Sequence, residues 1–179
     1  TVARMSSKVP HTNISRYDID IRSFLSLEND AVVSNFLHEN IKRLPVEYQV
    51  QFMSDQPGSF DFRAVAVSRF MRSIHYKRSR RQFDAWLFPE ETLAQNGGDC
   101  EDLSFLLAAL LQASGISEYC IRVALGSLVG HTVQKKRLKF SHAWVMYQNE
   151  RGAWQILDPA SMVKSKPAKD VLAAQQIEY

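Results

Sequence analysis

The chain has 179 residues, of which 45% are hydrophobic and 23% charged, and its formal net charge is +3. This composition is that of a globular protein, and the length suffices for one domain with a buried core. No apolar run reaches the roughly 20 residues needed to span a bilayer, and the first residues do not resemble a secretory signal. Compartment (exported, periplasmic or cytoplasmic) and oligomeric state stay open.

The positive charge is concentrated in two runs, residues 77–81 and residues 135–139. Runs of this kind are typical of solvated loops, and we expect that here. No recognised nucleic-acid-binding module surrounds either run, which argues against a nucleic-acid partner.

The first half of the chain predicts two amphipathic helices. The first 28 residues are mixed and polar and predict an extended arm. Apolar spacing predicts a helix over residues 30–44, ended by Pro45, and a second over residues 60–74. The inner face of the second helix is expected to contain Phe62, Val65, Ala66, Arg69 and Phe70. We expect residues 1–55 to form an arm and helix, and residues 56–179 the catalytic core of one compact unit.

A third, strongly apolar helix is predicted between Asp99 and Gly115. Asp99 is a natural N-cap with Asp102 three residues on, and leucines recur at helical spacing until the glycine. A short helix is expected to begin at Pro89. Three strands are predicted at residues 119–125, 142–148 and 153–157. Helices followed by antiparallel strands predict an α+β fold in which the third helix packs on the sheet.

Cys100 begins this third helix. Unpaired backbone N–H groups and partial positive charge at a helix start favour a thiolate. His142 and Asp158 supply a proton acceptor and a group to orient it. His131 is the competing histidine, since it lies between Cys100 and the last two strands. Cys120 falls in a predicted strand as a small core residue, and a disulfide between the two cysteines is not expected.

The hairpin between the last two strands decides whether His142 meets Asp158. A three-residue loop, 150–152, with left-handed Gly152 pairs Met146 with Ile156. His142 and Asp158 then share one face of the sheet. A two-residue loop would place them on opposite faces.

These motifs, in this order, resemble the transglutaminase-like superfamily, whose bacterial and archaeal members include transglutaminase-like cysteine proteases. The resemblance covers about residues 60–165. It rests on Trp86, Pro89-Glu90-Glu91-Thr92-Leu93, Gly97-Gly98-Asp99-Cys100-Glu101-Asp102, Gly115-Ile116, His142-Ala143-Trp144-Val145, Trp154 and Leu157-Asp158-Pro159. It implies a papain-like fold with Cys100 as nucleophile, His142 as general base and acid, and Asp158 as the orienting carboxylate.

The first candidate donor to the oxyanion is the backbone N–H of Cys100 at the helix start. The resemblance leaves two choices for a second donor. Related papain-like enzymes use a glutamine shortly before the cysteine, which would be Gln95 here. Some superfamily members use an upstream tryptophan, which would be Trp86.

Asp99, Glu101 and Asp102 surround the nucleophile with carboxylates. Their simplest role is to complement the helix dipole, and this interpretation is favoured. In one subgroup of the family, acidic residues flanking the cysteine bind calcium, so a calcium site is the alternative. The mechanism requires no cofactor. Zinc is not expected, because no suitably spaced Cys/His set is present.

The predicted function is cysteine-dependent acyl transfer on amide bonds through a thioester, with a protein or peptide substrate. A peptidase or amidase is favoured by analogy with small bacterial members of the group. The alternatives are a cross-linking transglutaminase and a non-catalytic binding domain on the same fold.

Overall fold

The fold is described from a computed structural model covering residues 2–4, 18–20, 24–25, 31–78, 86–131 and 137–163. Its helices are α1 Ala31–Lys42, α2 Val46–Met53, α3 Ser59–Phe70, α4 Pro89–Ala94, α5 Cys100–Ala113 and α6 Pro159–Met162. Its strands are β1 Val2–Arg4, β2 Asp18–Asp20, β3 His75–Tyr76, β4 Gly97–Gly98, β5 Ile121–His131, β6 Arg137–Gln148 and β7 Trp154–Leu157. The predicted α+β class is confirmed.

Helix α5 lies at the centre of the molecule. Every residue from Asp102 to Leu111 is buried, so the helix is covered on all sides. It packs against α1 and α3 on one side and against the inner face of β5 and β6 on the other. Such burial explains its near-continuous apolar sequence, since a helix exposed on one face would carry polar residues there.

The main sheet has the order β5-β6-β7, and both pairings are antiparallel. On β6, Ala143, Val145 and Tyr147 are buried against the helices, whereas the alternate residues His142, Trp144 and Met146 belong to the outer face. Two smaller pairings lie elsewhere, β1 with β2 antiparallel and β3 with β4 parallel.

Several predicted boundaries differ from the structure. Helix α1 ends at Lys42, before the expected end at residue 44, and Pro45 is the N-cap of α2, a helix that was not predicted. The first predicted strand was wrong at its start, because Cys120 lies in a short 3-10 helix, Glu118–Cys120, and β5 then extends to His131. The second basic run is not simply a loop, because residues 137–139 begin β6. Most of the predicted N-terminal arm lies outside the described residues.

The inner face of α3 was only partly predicted. Ala66 and Phe70 are buried, but Val65 is 51% exposed while Arg63 is only 6% exposed. The buried guanidinium donates to the carbonyl oxygens of Phe52 and Ser114 at 2.7 and 3.1 Å. A buried charge needs such partners, and these carbonyls lie near the ends of α2 and α5. Arg63 therefore ties three helices together.

The hairpin turn between β6 and β7 is hydrogen-bonded to the start of α3. The Glu150 carboxylate accepts from the backbone N–H groups of Gly58 and Phe60, the latter at 2.9 Å. Asp61 in turn accepts from the Tyr147 hydroxyl at 2.8 Å. A carboxylate at a helix N-terminus is favoured by the unpaired N–H groups and the dipole. The hairpin is thus held to the helical layer.

Candidate active site

The N-terminus of α5 brings Cys100 to the surface of the core. Gly97 and Gly98 form β4, which runs beside β3 and delivers the chain to the helix. A Cβ at Gly98 would lie 2.5 Å from the Cβ of Asp102, so the helix can begin this close only because glycine is there. Asp102 accepts from the backbone N–H of Asp99 at 3.2 Å, as expected of a residue in the first turn that caps the helix.

The β6–β7 hairpin has the predicted register. Met146 pairs with Ile156, and Gly152 is left-handed with φ 78°. The loop closes through the N–H of Asn149, which donates to the Ala153 carbonyl at 2.9 Å. This register puts the side chains of His142 and Asp158 on one face, as parity requires.

His142 and Asp158 are hydrogen-bonded, with 3.0 Å between Nε2 and Oδ2, and each side chain is only 9% exposed. The other carboxylate oxygen of Asp158 accepts from the N–H of Ala160 at 3.0 Å and so caps α6. Each carboxylate oxygen of Asp158 therefore has a hydrogen-bond partner, which fixes the orientation of the side chain. Because Nε2 is engaged, Nδ1 is the imidazole nitrogen left to exchange a proton with a nucleophile.

The backbone places His131 away from this position. It ends β5, five residues beyond Gly126, which is the β5 residue that pairs with His142 on β6. Five residues of extended strand correspond to about 17 Å. The histidine that meets Asp158 is His142, as the hairpin register predicts.

Cys100 and His142 line one open cleft of about 480 Å³. Its other lining residues are Trp86, Glu101, Leu125, Gly126, Ser127, Ser141 and Ala143. Gln95 is not among them, because it forms the exposed C-terminal cap of α4. Of the two suggested oxyanion side chains, only Trp86 borders the cleft, where its ring also packs against Phe24 and Phe105.

Trp144 covers the imidazole. Its ring stacks on that of His142 with 6.0 Å between centroids. The ring also lies across Gly126, where an added Cβ would come within 2.6 Å of it. This contact was not predicted, although the position of Trp144 two residues after His142 puts both side chains on the same sheet face.

A transglutaminase-like superfamily model matches residues 48–159, which is more than half of the chain and includes Cys100, His142 and Asp158. The chain belongs to the transglutaminase-like superfamily. Comparison with curated protein sequences gives no match. The match extends from within α2 to the start of α6 and therefore includes α5, β5 and β6, which carry most of the cleft residues.

Solved structures show distant similarity to this superfamily member. Calcium-bound Legionella pneumophila LapG is 17% identical, with a TM-score of 0.46 over 77% of this chain and 79% of LapG. The same protein treated with EGTA gives 17% identity and 0.45 over 77% of each chain. The periplasmic domain of Pseudomonas aeruginosa TgpA bound to ethylmercury is 19% identical, with 0.44 over 72% of this chain and 50% of that one. Within the described residues, no helix combines the length and apolarity needed to cross a membrane.

The helix side of the cleft holds the thiol in its neutral form. The Cys100 Sγ donates to Glu101 Oε2 at 3.0 Å. Burial, the bond to Glu101 and the charges of Glu101 and Asp99 raise the pKa of the Cys100 thiol well above its ordinary value. The backbone N–H of Ala143 acts in the opposite direction. Neither the Glu101 contact nor the Ala143 donor was predicted, and a backbone donor leaves no signal in side-chain identity.

The three carboxylates do not play one common role. Asp102 accepts from the N–H of Leu87 at 2.8 Å as well as from Asp99, and burial raises its pKa to about 7. Its oxygens are therefore occupied, and it does not fit the predicted calcium site. The charges of Asp99 and Glu101 raise the pKa of the Cys100 thiol, as described above. Burial and the same two charges raise the pKa of Tyr76. Among the described residues, no three Asp, Glu, His or Cys side chains form a metal-ligand group.

Proposed function

We propose that this protein is a cysteine-dependent acyl-transfer enzyme that hydrolyses amide bonds in a protein or peptide. Cys100 is the nucleophile, His142 the general base and acid, and Asp158 the orienting carboxylate. One observation carries the proposal. His142 is hydrogen-bonded through Nε2 to the buried Asp158 carboxylate, and it lines the same cleft as Cys100 at the start of α5.

The reaction begins with transfer of the thiol proton from Cys100 to Nδ1 of His142. Sγ then forms a bond to the substrate carbonyl carbon, and the imidazolium is stabilised by Asp158 at 3.0 Å. When the carbon–nitrogen bond breaks, His142 gives its proton to the departing amine and a thioester remains. Water, deprotonated by the same imidazole, attacks the thioester and restores the thiol.

The Cys100 thiol must break its hydrogen bond to Glu101 before it can react. Its present hydrogen bond at 3.0 Å directs the proton to a carboxylate instead of the imidazole. Rotation about the Cα–Cβ bond of Cys100 is the change that we propose redirects the thiol towards His142, because side chains interconvert between staggered rotamers.

We assign the stabilisation of the oxyanion to two hydrogen-bond donors. The backbone N–H of Cys100 belongs to the unpaired first turn of α5 and carries the positive end of the helix dipole. The indole N–H of Trp86 is the side-chain donor, since Trp86 borders the cleft and Gln95 does not. Such donors are effective when they face the developing charge in a site with little water.

Calcium, if bound at this site, would be held by Asp99 and Glu101, with Asp102 retained as the helix cap. Calcium coordinates six to eight oxygens, so backbone carbonyls and water would complete the shell. Its charge would lower the pKa of the neighbouring thiol. The supporting observation is that the charges of both carboxylates raise the pKa of Cys100 and of Tyr76. A cation bound there would neutralise this concentration of negative charge.

Incubation with a peptide library in ¹⁸O-labelled water, with and without added putrescine, tests the function. Hydrolysis predicts new C-termini that carry one ¹⁸O by mass spectrometry, and their absence from the Cys100→Ala reaction. Putrescine adducts without ¹⁸O would identify a transglutaminase instead. No product, together with an unreactive Cys100, would identify a binding domain.

A further inference from the structure

A second groove lies between α3, the edge of β7 and α6, with a volume of about 480 Å³. It shares no lining residue with the catalytic cleft. One wall is the outward face of α3, including Val65 and Ser68; the floor is Tyr147 and Leu157 on the inner face of the sheet. It is thus a separate concavity of the same size as the catalytic cleft.

Charge is unevenly distributed along this groove. Arg69 and Arg72 lie about one helical turn apart at one end, and within the described residues neither forms an ion pair. Asp61 lies at the other end, where it accepts from the Tyr147 hydroxyl at 2.8 Å and the Glu150 N–H at 3.2 Å. The carboxylate is therefore engaged, whereas the two guanidinium groups present donors and positive charge to an occupant.

The groove has the length and the edge needed for an extended peptide. From Asp61 to Arg72, α3 and the 3-10 turn that follows it rise by about 16 Å, which equals about five residues of extended chain. Within the described residues β7 pairs with β6 on one side only. The backbone groups on its other side are those to which a further strand can add.

We propose that this groove binds an extended acidic peptide segment, which pairs with β7 and places its carboxylates on Arg69 and Arg72. Arginine suits this role because its planar fork binds carboxylates in a bidentate manner. The end wall is α6, whose Ser161 donates through its hydroxyl to the Asp158 carbonyl at 2.7 Å. A bound segment would therefore contact the turn that carries the orienting carboxylate. Binding does not depend on the proposed catalysis.

Fluorescence anisotropy with a labelled pentapeptide, Glu-Val-Glu-Val-Glu, tests the proposal. We expect saturable binding that is weakened roughly tenfold or more in an Arg69→Glu, Arg72→Glu double variant and by raised salt. The matched control is Arg43→Glu, Arg122→Glu, which changes the net charge equally at exposed positions outside the groove. The control should bind the acidic pentapeptide within about twofold of the wild type.

Two further peptides separate charge from strand pairing. Lys-Val-Lys-Val-Lys should not bind, and the acidic peptide with alternate N-methylated amides should bind more weakly because it cannot pair with β7. Absence of binding to the wild type, equal losses in the two double variants, or equal binding of acidic and basic peptides would each overturn the proposal. If the Glu substitutions unfold the protein, Arg69→Gln, Arg72→Gln provides the same comparison.

Discussion

The two sides of the cleft that contains Cys100 and His142 differ in how closely they match the proposed catalytic arrangement. On the hairpin side, His142 and Asp158 already share a 3.0 Å hydrogen bond, and Asp158 is fixed further by its cap on α6. On the helix side, Cys100 donates to Glu101 and its pKa is raised. The proposed base is therefore preorganised, whereas the proposed nucleophile has still to be released from its hydrogen bond to Glu101.

This difference follows from how each side is built. The hairpin side depends on strand register and on backbone hydrogen bonds, which hold one geometry once the hairpin forms. The helix side depends on a flexible acidic residue next to the thiol and on the net field of nearby carboxylates. Control of activity is accordingly expected at the helix side, and the following variants test that division.

The largest effect is expected from loss of the thiol. Cys100→Ala should reduce peptide hydrolysis by roughly 10⁴-fold or more while the protein stays folded, because nucleophiles of this kind act as a unit with their base. Cys120→Ala is the matched control and should retain most activity, since Cys120 lies in the short helix before β5. Mass spectrometry of the products and circular dichroism provide the measurements. An active Cys100→Ala protein would contradict the assignment.

Asp158→Asn should lower kcat by roughly 10²- to 10⁴-fold, because the imidazolium loses its carboxylate partner. Its melting temperature should change little, since the asparagine oxygen can still cap α6. Asp158→Ala should lose the cap as well, at a further cost of about 1 kcal/mol in unfolding free energy. Rate assays and thermal melts compare the two variants. If Asp158→Asn kept full activity, the preorganised base would not be needed.

Glu101→Gln should make the Cys100 thiol more acidic, because it removes the negative charge that raises the thiol pKa. Each unit of decrease gives about tenfold more thiolate below the pKa. In the presence of chelator, iodoacetamide alkylation at pH 7 should therefore be roughly tenfold faster in the variant. Glu118→Gln, at an exposed position in the 3-10 helix, serves as the control. Equal alkylation rates in all three proteins would show that Glu101 does not restrain the thiol.

If calcium binds at Asp99 and Glu101, its addition to chelated wild-type protein should raise the melting temperature and should also raise the alkylation rate a few-fold, because the cation offsets the effect of these carboxylates on the thiol. Asp99→Asn and Glu101→Gln should not show this response. Magnesium should substitute poorly, since it demands tighter octahedral geometry. A wild-type protein that does not respond to calcium would leave the two carboxylates as partners of the helix dipole.

The smallest effect is expected at the hairpin turn. Gly152→Ala forces a side chain into φ 78° with nothing within 4 Å of the new Cβ, so the cost is conformational. About 1 kcal/mol of destabilisation corresponds to a decrease of roughly 2–4 °C in melting temperature at this size. The kcat should stay close to that of the wild type, because Glu150 still fastens the turn to α3. A large loss of kcat would show that the hairpin side is less firmly held.

The hairpin side could be predicted from the sequence because strand periodicity is strict. One glycine at position 152 sets the loop, and parity then determines which side chains share a face. The capped start of α5 was equally accessible from Asp99 and its leucine spacing. These local rules were enough for the α+β class, and of the two hairpin registers that the sequence left open they favoured the one in which His142 approaches Asp158.

The helix side could not be predicted in the same way. That Asp102 accepts a hydrogen bond from the N–H of Leu87 depends on a loop fifteen residues away, and that Glu101 accepts one from the Cys100 thiol depends on the side-chain rotamers. Helix α2 was missed because Pro45 was interpreted only as a terminator. Val65, which was expected on the inner face of α3, is exposed, whereas Arg63 is buried because carbonyls from two other helices surround its guanidinium.

The position of Arg63 has a consequence for how the molecule unfolds. Its guanidinium joins backbone carbonyls beside the C-termini of α2 and α5, and its own backbone lies in α3. Opening any one of these helix ends would remove a hydrogen-bond acceptor from the buried guanidinium, which also pairs with Asp55 at 3.0 Å, and burying a polar group without its acceptor is costly. The helical layer should therefore exchange its amide hydrogens as one cooperative unit, to which α5 and Cys100 at its start belong.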